Sequence, residues 1–397
     1  MRRALLLAAA AAACGAGVTL GIGAAAGWID GGEPARTVTT LAAAVTVTET
    51  EPATRPAGEG FDPAAVYALR SPGVVTIYAY YGSGTSRSGS TQGSGFVASA
   101  DGHILTNAHV ITNAGDGAPV GGATEVYVEF QDLDRVPAEI VGWDLFDDVG
   151  LLKVDPKAHS LAPVPLGDSA RATVGEPVAA IGSPFGNQNS LAVGVVSATG
   201  RSIPSLLSGY EIADAIQIDA PINHGNSGGP LLDVRGRVIG INAQIKSDSG
   251  NAEGVGFAVP INAARRTMEQ LISTGRVAYA YAGVSTEDVT PGLARRFGLA
   301  APRGALVVEV RTGSPAEAAG LHGGSRRVLF NGIAATLGGD LVVAIDGVTV
   351  GSARDLVRLV AERYLPGETA AFTIFRGGKQ RAVVRVTFGE RTADGGR

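Results

Sequence analysis

The sequence predicts a mainly β protein whose C-terminal part mixes strands with helices. Glycine is abundant, at 57 of 397 residues, and glycine favours turns over the interiors of helices and strands. Short apolar or alternating runs recur between turn residues, as the strands of a sandwich or barrel do. Twelve such runs lie at 74–80, 95–98, 103–106, 125–130, 136–141, 149–154, 177–181, 191–198, 215–218, 231–233, 238–241 and 255–259. This number suits two six-stranded barrels.

Charge and cysteine content exclude several classes of function. The formal net charge is −5 and no cluster of Lys or Arg stands out, so we expect no nucleic-acid partner. Cys14 is the only cysteine, which rules out an intramolecular disulfide and a cysteine-based metal site. The five histidines show no paired spacing. We therefore predict neither a metal ion nor another cofactor.

Residues 1–28 form a predicted signal or membrane-anchor segment. Arg2 and Arg3 precede an uncharged run over residues 4–27, which is long enough to cross a bilayer core as a helix. Two basic residues before the run leave its start in the cytoplasm and export the rest. A signal peptide cleaved near Ala24 and a lipoprotein signal with lipid attached at Cys14 are alternatives. All three place the body of the protein in the cell envelope, on the extracytoplasmic side, or outside it.

Residues 29–60 consist mainly of Ala, Thr, Pro, Glu and Gly. A segment with so little bulky apolar content cannot bury enough surface to fold. We expect a disordered linker between the anchor and the folded part of the chain.

A candidate nucleophile lies in the sequence GNSGG at 225–229. Glycines on both sides of Ser227 let the backbone turn sharply and leave room for a substrate carbonyl beside main-chain N–H groups. Taken alone, the pattern also fits a Gly-rich hairpin or the nucleophile elbow of the α/β-hydrolases.

The positions of the candidate base and acid decide between these interpretations. His109 follows the apolar run at 103–106, and Asp148 opens the run at 149–154. The order His, Asp, Ser is that of chymotrypsin, whereas an α/β-hydrolase needs the serine first. After Ser227 the only histidine is His322, in a region of different composition. The elbow interpretation is therefore disfavoured.

The three catalytic blocks resemble those of the HtrA (Deg) family of serine proteases. They are TNAHV at 106–110, DVGLLKV at 148–154 and GNSGGPL at 225–231. Supporting blocks agree in order, namely GSGFV at 93–97, AIGSPFG at 180–186, SATGR at 197–201 and GVGFAVP at 254–260. The resemblance implies a chymotrypsin-like double β-barrel protease domain over residues 61–273.

The resemblance also implies a role for each residue of the site. Ser227 would attack the scissile carbonyl, His109 would accept and return its proton, and Asp148 would orient the imidazole. Asp147 is adjacent, but Asp148 matches the family pattern. The N–H groups of Gly225 and Ser227 would form the oxyanion hole.

Two stretches near the nucleophile depart from the family or set its specificity. His224 stands where the family usually has proline or a basic residue, so we expect a solvent-exposed loop side chain there that alters the oxyanion loop. The loop at 242–253 resembles a specificity loop. Ile222 and Ile245 would line a pocket for small or medium aliphatic side chains, with Lys246 in the same loop.

The C-terminal region resembles the PDZ domain of HtrA proteases over residues 280–390. A helix at 261–273, with apolar residues including Met268 and Ile272 on one side, precedes it and stops at Gly275. The sequence YAGV at 281–284 matches the loop that receives a terminal carboxylate, through Ala282, Gly283 and Val284. The following strand would accept the peptide by β-augmentation. Residues 325–339 form a longer link than usual.

The sequence as a whole predicts an ATP-independent serine endopeptidase of the cell envelope that cleaves misfolded or exported proteins. Its partners would be unfolded or exported polypeptides and peptide C-termini, the latter bound by the PDZ domain. A peptide-binding chaperone or scaffold with latent or weak protease activity is the alternative. The resemblance further suggests a homotrimer assembled through the segment at 61–67.

Overall fold

The computed structural model describes residues 60–82, 89–114, 120–183, 189–205, 207, 211–223, 225–243 and 255–391. Residues 59–397 form one compact unit. The predicted anchor and nearly all of the predicted linker lie outside the described residues. Within the described ranges no helix combines the length and the apolar character needed to cross a membrane.

The first β-barrel is closed and follows helix α1, Pro63–Arg70. Its strand order around the barrel is β1-β2-β3-β6-β5-β4, with every neighbouring pair antiparallel. A one-turn helix, α2, spans Ala108–Ile111 directly after β3. The strands are β1 Val74–Tyr81, β2 Gly89–Val97, β3 His103–Thr106, β4 Glu125–Glu129, β5 Arg135–Asp144 and β6 Val149–Lys153.

The second barrel is also closed, with the order β10-β11-β12-β9-β8-β7. Helix α3, Ile261–Thr274, follows its last strand and ends at Gly275, whose φ is 73°. The strands are β7 Pro177–Gly182, β8 Ser190–Pro204, β9 Glu211–Ile218, β10 Pro230–Leu232, β11 Val238–Ala243 and β12 Gly256–Pro260. The predicted double barrel is thus confirmed, and each of the twelve predicted runs overlaps one strand.

The strands read as nearly continuous apolar runs because both of their faces are buried. In β6, Val149 and Leu151 pack into a cluster shared by the two barrels, whereas Leu152 packs inside the first barrel. Side chains alternate between the two faces of a strand, so one apolar run serves both cores. The shared cluster fixes the barrels against each other and thereby fixes the cleft between them.

The apolar stripe of α3 differs from the predicted one at one position. Ile261, Ala264, Thr267 and Leu271 are buried, whereas the side chain of Ile272 is half exposed. Thr267 is buried because its hydroxyl donates a hydrogen bond to the Asp144 carboxylate at 2.9 Å. The buried face of α3 thus includes Thr267 and leaves Ile272 outside it.

The C-terminal region is α+β, as the sequence predicts. Its main sheet has the order β14-β15-β18-β20-β21, with β19 paired to β18, and α6 packs against it. The strands of this region are β13 Ala280–Tyr281, β14 Val284–Val289, β15 Gly304–Val310, β16 Arg326–Phe330, β17 Ile333–Leu337, β18 Leu341–Ile345, β19 Val348–Thr349, β20 Thr369–Arg376, β21 Gln380–Thr387 and β22 Gly389–Glu390. The helices are α4 Pro291–Phe297, α5 Pro315–Ala318 and α6 Ala353–Arg363.

Serine side chains cap two helices of this region. The Ser314 hydroxyl accepts a hydrogen bond from the Glu317 N–H at 3.2 Å, and that of Ser352 accepts one from the Asp355 N–H at 3.0 Å. Such caps satisfy N–H groups that the first turn of a helix leaves unpaired. They fix where α5 and α6 begin.

The long link at 325–339 folds into a hairpin of its own. Strands β16 and β17 pair from Arg326↔Leu337 to Phe330↔Ile333. Asn331 and Gly332 connect them, with φ of 51° and 80°, as a type I′ turn requires at both of its central positions.

Candidate active site

The candidate catalytic residues lie at the ends of strands from both barrels. His109 lies in α2, just after β3, and Asp148 lies in the turn that precedes β6. Because β3 pairs with β6 from His103↔Lys153 to Thr106↔Gly150, the ends of these strands meet. Ser227 lies in the turn before β10 of the second barrel.

Two hydrogen bonds join His109 to Asp148. The distance from Nδ1 of His109 to Oδ2 of Asp148 is 2.8 Å, and the His109 backbone N–H donates to Oδ1 at 3.0 Å. Both carboxylate oxygens are therefore engaged. The ring is held with Nδ1 facing the carboxylate, which leaves Nε2 as the nitrogen that can exchange a proton with substrate or nucleophile.

Asn107 fixes the backbone of Asp148 from behind. Its buried side-chain amide donates to the Asp148 carbonyl oxygen at 2.9 Å. Asp148 has a φ of 51°, in the left-handed region that non-glycine residues rarely adopt. Such strain persists where the surrounding structure enforces it and is concentrated at functional sites.

The carboxylate of the neighbouring Asp147 is bound by other residues and not by His109. Oδ2 of Asp147 lies 3.2 Å from a guanidinium nitrogen of Arg266 and 2.8 Å from the hydroxyl of Tyr279. The structure thus separates two adjacent acids, one directed at His109 and the other at α3.

Asp148 also sets the protonation of the imidazole. Burial by itself lowers the pKa of His109, but the charge of Asp148 and its hydrogen bond outweigh burial and raise the pKa above the ordinary value of 6.5. The imidazolium form is therefore stabilised relative to an isolated histidine.

The loop that carries Ser227 is held by main-chain hydrogen bonds on both sides. The Ser94 N–H donates to the Ser227 carbonyl at 2.8 Å, and the Gly228 N–H donates to the Asn242 carbonyl at 2.9 Å. A Cβ on Gly228 would lie 2.1 Å from the Ser94 carbonyl oxygen, so only glycine fits there. The Ser227 hydroxyl is buried and finds no hydrogen-bond partner in the described part of the chain.

The carbonyl group of Gly225 is held by one donor from each barrel, Ser94 of the first and Ser183 of the second. It accepts hydrogen bonds from the Ser94 hydroxyl at 2.6 Å and from the Ser183 N–H at 3.4 Å, and the φ of Gly225 is 98°. Among the described residues, no backbone carbonyl accepts from the N–H of Gly225 or Ser227.

A chain of hydroxyls behind this loop was not anticipated from the sequence. Thr76 donates to the Ser183 hydroxyl at 2.7 Å, and the Ser183 N–H donates to the Ser94 hydroxyl at 2.9 Å. Ser94 and Ser183 lie in two of the supporting blocks, which gave no role for them, and Thr76 carries no signal within its apolar strand. The chain links β1 of the first barrel to the nucleophile loop of the second.

The predicted substrate pocket is only partly described. Ile222 is buried with the apolar core of the second barrel. Ile245, Lys246 and His224 lie outside the described residues. The part of the chain that the structure describes contains no group of three or more His, Cys, Asp and Glu side chains that could hold a metal ion.

The predicted carboxylate loop lies at one end of a groove between β14 and α6. Gly283 has a φ of 82°, and a Cβ on it would lie 2.2 Å from Cβ of Ser314, so glycine is required. The carbonyls of Ala282 and Gly283 accept from Ala316 and Arg311, which fixes the loop. The groove has a volume of about 280 Å³ and is lined by residues that include Ala282, Gly283, Val284, Leu356 and Val360.

A buried polar cluster joins this loop to the turn that carries Asp148, the candidate catalytic acid. The hydroxyl of Tyr279, three residues before Ala282, contacts the carboxylates of both Asp144 and Asp147. Burial, reinforced by the negative charge of Asp147, raises the pKa of Asp144 to about 6. One hydroxyl hydrogen cannot serve two carboxylates at once, so a proton on Asp144, which its raised pKa favours below about pH 6, would complete the second contact.

Comparison with known proteins finds two domain families in this chain. Residues 93–241 match the trypsin-like peptidase domain, and residues 280–385 match the PDZ domain. A probable periplasmic serine endoprotease, DegP-like, of Hahella chejuensis is 41% identical over 302 residues, which cover 76% of this chain and 58% of that protein. One of the same description from Pseudomonas fulva is 39% identical over 315 residues, covering 79% of this chain and 59% of that protein. The chain thus spans less than two thirds of these relatives.

Two solved protease structures match this chain over nearly their whole length. The HtrA-type protease AlgW, solved with a tripeptide, has a TM-score of 0.66 and 33% identity, covering 83% of this chain and 98% of AlgW. A serine endoprotease from Yersinia pestis has a TM-score of 0.57 and 29% identity, covering 84% of this chain and 100% of that chain.

Proposed function

This chain belongs to the HtrA (Deg) family of serine proteases, and on that premise we propose that it is an ATP-independent serine endopeptidase that cleaves misfolded or exported proteins. The observation that supports this most is the pair of hydrogen bonds between His109 and Asp148, together with a buried Ser227 hydroxyl that has no hydrogen-bond partner among the described residues. A scaffold that only binds peptides has no need of this arrangement.

The proposed reaction is acyl transfer to Ser227 followed by hydrolysis. His109 takes the Ser227 proton as the hydroxyl oxygen attacks the scissile carbonyl, and it then delivers that proton to the leaving amine. Asp148 orients the ring and stabilises the imidazolium, as the raised pKa of His109 supports. In the second half, His109 activates water by the same route, and Ser227 is released.

Gly225 and Ser227 supply the donors for the developing oxyanion. Their N–H groups are unengaged by the described backbone, and the Gly225 carbonyl is turned towards Ser94 and Ser183. A preorganised donor of this kind is worth about 3–4 kcal/mol of the reaction barrier. The structure thus supports a loop resting with its N–H groups available.

Substrate selection at the scissile bond is assigned to the loop at 242–253 together with Ile222. Ile222, Ile245 and Lys246 would then set the preference for small or medium aliphatic side chains. Ile222 is buried in the second barrel, so in this proposal it shapes the floor of the pocket.

The C-terminal domain would bind the free carboxylate of a polypeptide and regulate the protease. The groove beside Ala282, Gly283 and Val284 supports the binding role. Tyr279 supports the regulatory one, since it connects that loop to the turn preceding Asp148. Replacement Tyr279→Phe is expected to reduce stimulation by carboxylate peptides while leaving Ser227 reactive.

The cellular setting follows from the relatives and from the N-terminal segment. Two relatives are described as periplasmic, which supports a site of action outside the cytoplasmic membrane. We assign residues 4–27 to a membrane anchor, 29–60 to a linker, 61–273 to the protease domain and 280–390 to the PDZ domain. Assembly into a homotrimer through residues 61–67 completes the proposal.

The test uses the full-length protein in detergent with unfolded casein as substrate, beside Ser227→Ala. We expect cleavage by the wild type alone. Equal cleavage by both proteins would overturn the assignment of Ser227. No cleavage by either, with casein aggregation suppressed by both, would favour the peptide-binding chaperone instead.

A further inference from the structure

The hairpin β16–β17 carries two exposed apolar side chains that the proposed protease function does not use. Leu329 is 75% exposed and Ile333 is 72% exposed. Leu329 lies opposite Ala334, whereas Ile333 lies opposite Phe330. Directly opposed residues share a face and successive residues alternate, so Leu329 and Ile333 occupy different faces of the hairpin.

The Ile333 face contributes more of the hairpin's lining to a neighbouring cavity than the Leu329 face, which contributes Ala334. This cavity, of about 950 Å³, is lined by Phe330 and Ile333 of the hairpin, by Thr286 of β14 and by Val357 of α6. Leu329 is not among its lining residues. Val357 is itself 49% exposed, so apolar surface faces the cavity from two sides.

This cavity continues the groove beside the carboxylate loop. Val284, Thr286 and Val357 line both spaces. The hairpin lies at the far end of β14 from Gly283, because the Thr336 N–H donates to the Glu287 carboxylate at 3.1 Å and Phe330 approaches Gly292. A single groove therefore runs from the carboxylate loop, along β14, to the hairpin.

The edge of β14 dictates how a peptide would run along this groove. In the described part of the chain β14 pairs with β15 alone, so its other edge is open to an added strand. A chain with its carboxylate at Gly283 would pass along β14 towards Val289. At about 3.3 Å per residue, side chains roughly five to seven positions before the C-terminus reach the hairpin.

We propose that the Ile333 face of the hairpin is a second specificity pocket, which binds an apolar side chain about five to seven residues upstream of the C-terminus of a bound polypeptide. This inference rests on the proposed binding of C-termini in the same groove. Ser202 and Ala213 of the second barrel also line the cavity. An upstream residue bound there touches the protease domain as well as the PDZ domain.

The test measures capture of two peptide pools by full-length Ser227→Ala protein, which binds without cleaving. Both pools contain ten-residue peptides whose last four positions are randomised among Ala, Val, Leu, Phe and Tyr. One pool has Leu at positions five to seven from the C-terminus, and the other has Ser there. Mass spectrometry gives the ratio of the two pools among captured peptides, and amidated copies of both pools test the need for a free carboxylate.

We expect the Leu pool to be captured about tenfold more than the Ser pool, the preference that burial of one or two apolar side chains provides. Adding Ile333→Ser should bring the ratio close to one. Adding Leu329→Ser, an equally exposed apolar residue on the other face, should leave the ratio unchanged. Because both side chains are exposed, both variants should keep the melting temperature of the parent protein.

The outcomes separate this inference from the function on which it rests. A ratio near one in the parent protein, with free carboxylates still preferred over amides, would overturn the second pocket and leave C-terminal recognition intact. An equal loss of preference in Leu329→Ser and Ile333→Ser would also overturn it. Capture of amidated and free peptides alike would overturn C-terminal recognition itself.

Discussion

The two halves of the candidate active site differ in what holds them. In the first barrel, His109 and Asp148 are joined directly, and Asn107 of the same barrel fixes the acid. In the second barrel, the loop of Gly225 and Ser227 depends on hydrogen bonds from Ser94 of the first barrel. The acid–base half is assembled within one barrel, whereas the nucleophile half is positioned across the interface between barrels.

This difference implies that mutations can impair the acid–base half and the nucleophile half of the site independently. Changes within the first barrel should alter the protonation and orientation of His109. Changes to the hydroxyl chain should misplace the oxyanion donors without altering the imidazole. The predictions that follow test this separation, beginning with the largest expected effect.

Replacement of the catalytic acid should cause the largest loss. Asp148→Asn removes the charge that orients and stabilises the ring, so kcat/KM on a casein-derived fluorogenic peptide should fall about 10⁴-fold. Asp147→Asn is the matched control, because that carboxylate faces Arg266 and Tyr279 rather than His109, and it should lower kcat/KM far less than Asp148→Asn does. Similar losses in the two variants would mean that the acids are wrongly assigned.

Removal of the Ser94 hydroxyl should weaken the nucleophile half alone. Ser94→Ala leaves the Gly225 carbonyl without its 2.6 Å partner, a loss of about 1–3 kcal/mol of positioning energy. We expect kcat to fall about tenfold to a hundredfold while the pH midpoint for activity stays in place. Ser90→Ala, an exposed position on the same strand, serves as the control. A shifted midpoint in Ser94→Ala would break the proposed separation.

The pH dependence of activity should depend directly on the acid–base half of the site, which consists of His109 and Asp148. The base form of His109 is required, and the pKa of His109 is raised by Asp148 against the opposing effect of burial. Activity should therefore fall on acidification with a midpoint above 6.5 in kcat/KM. The residual activity of Asp148→Asn should have a lower midpoint, since burial then acts unopposed. An unchanged midpoint would contradict this cause.

The smallest effect concerns the stability of the turn before Asp148. Because the pKa of Asp144 is raised to about 6 in the folded protein, the folded state binds this proton more tightly than the unfolded chain does. The resulting stabilisation is full in acid and is lost as the pH rises through about 6. The urea midpoint of the wild type should fall relative to that of Asp144→Asn between pH 5 and pH 7. Parallel curves would exclude Asp144 as the titrating group.

Sequence patterns predict the strands and the candidate triad, but they do not predict which residues contact each other between the two barrels. Alternation and spacing are local properties, so they located the twelve strands and the region around Ser227. The bond from Ser94 to Gly225 joins residues 131 positions apart, and that from Thr76 to Ser183 spans 107. The periodicity of a sequence does not show which distant serine will hydrogen-bond to a given carbonyl group when the two barrels pack together.

The hairpin is a different case, because a local signal was present. Asn331-Gly332 is a strong predictor of a type I′ turn, and apolar residues flank it on both sides. The long link at 325–339 therefore contains its own turn signal. Which face of the hairpin borders the groove depends on its packing against Glu287 and Gly292, which sequence alone does not give.

Covalent labelling tests most directly the central claim, that the first barrel activates the nucleophile of the second. Full-length protein is treated with a fluorophosphonate, a reagent that reacts with activated serine hydroxyls, and intact mass and peptide mapping locate the adduct. We predict one adduct, on Ser227, formed by the wild type and lost in His109→Ala. Labelling of His109→Ala at the wild-type rate, or an adduct on another serine, would contradict the account.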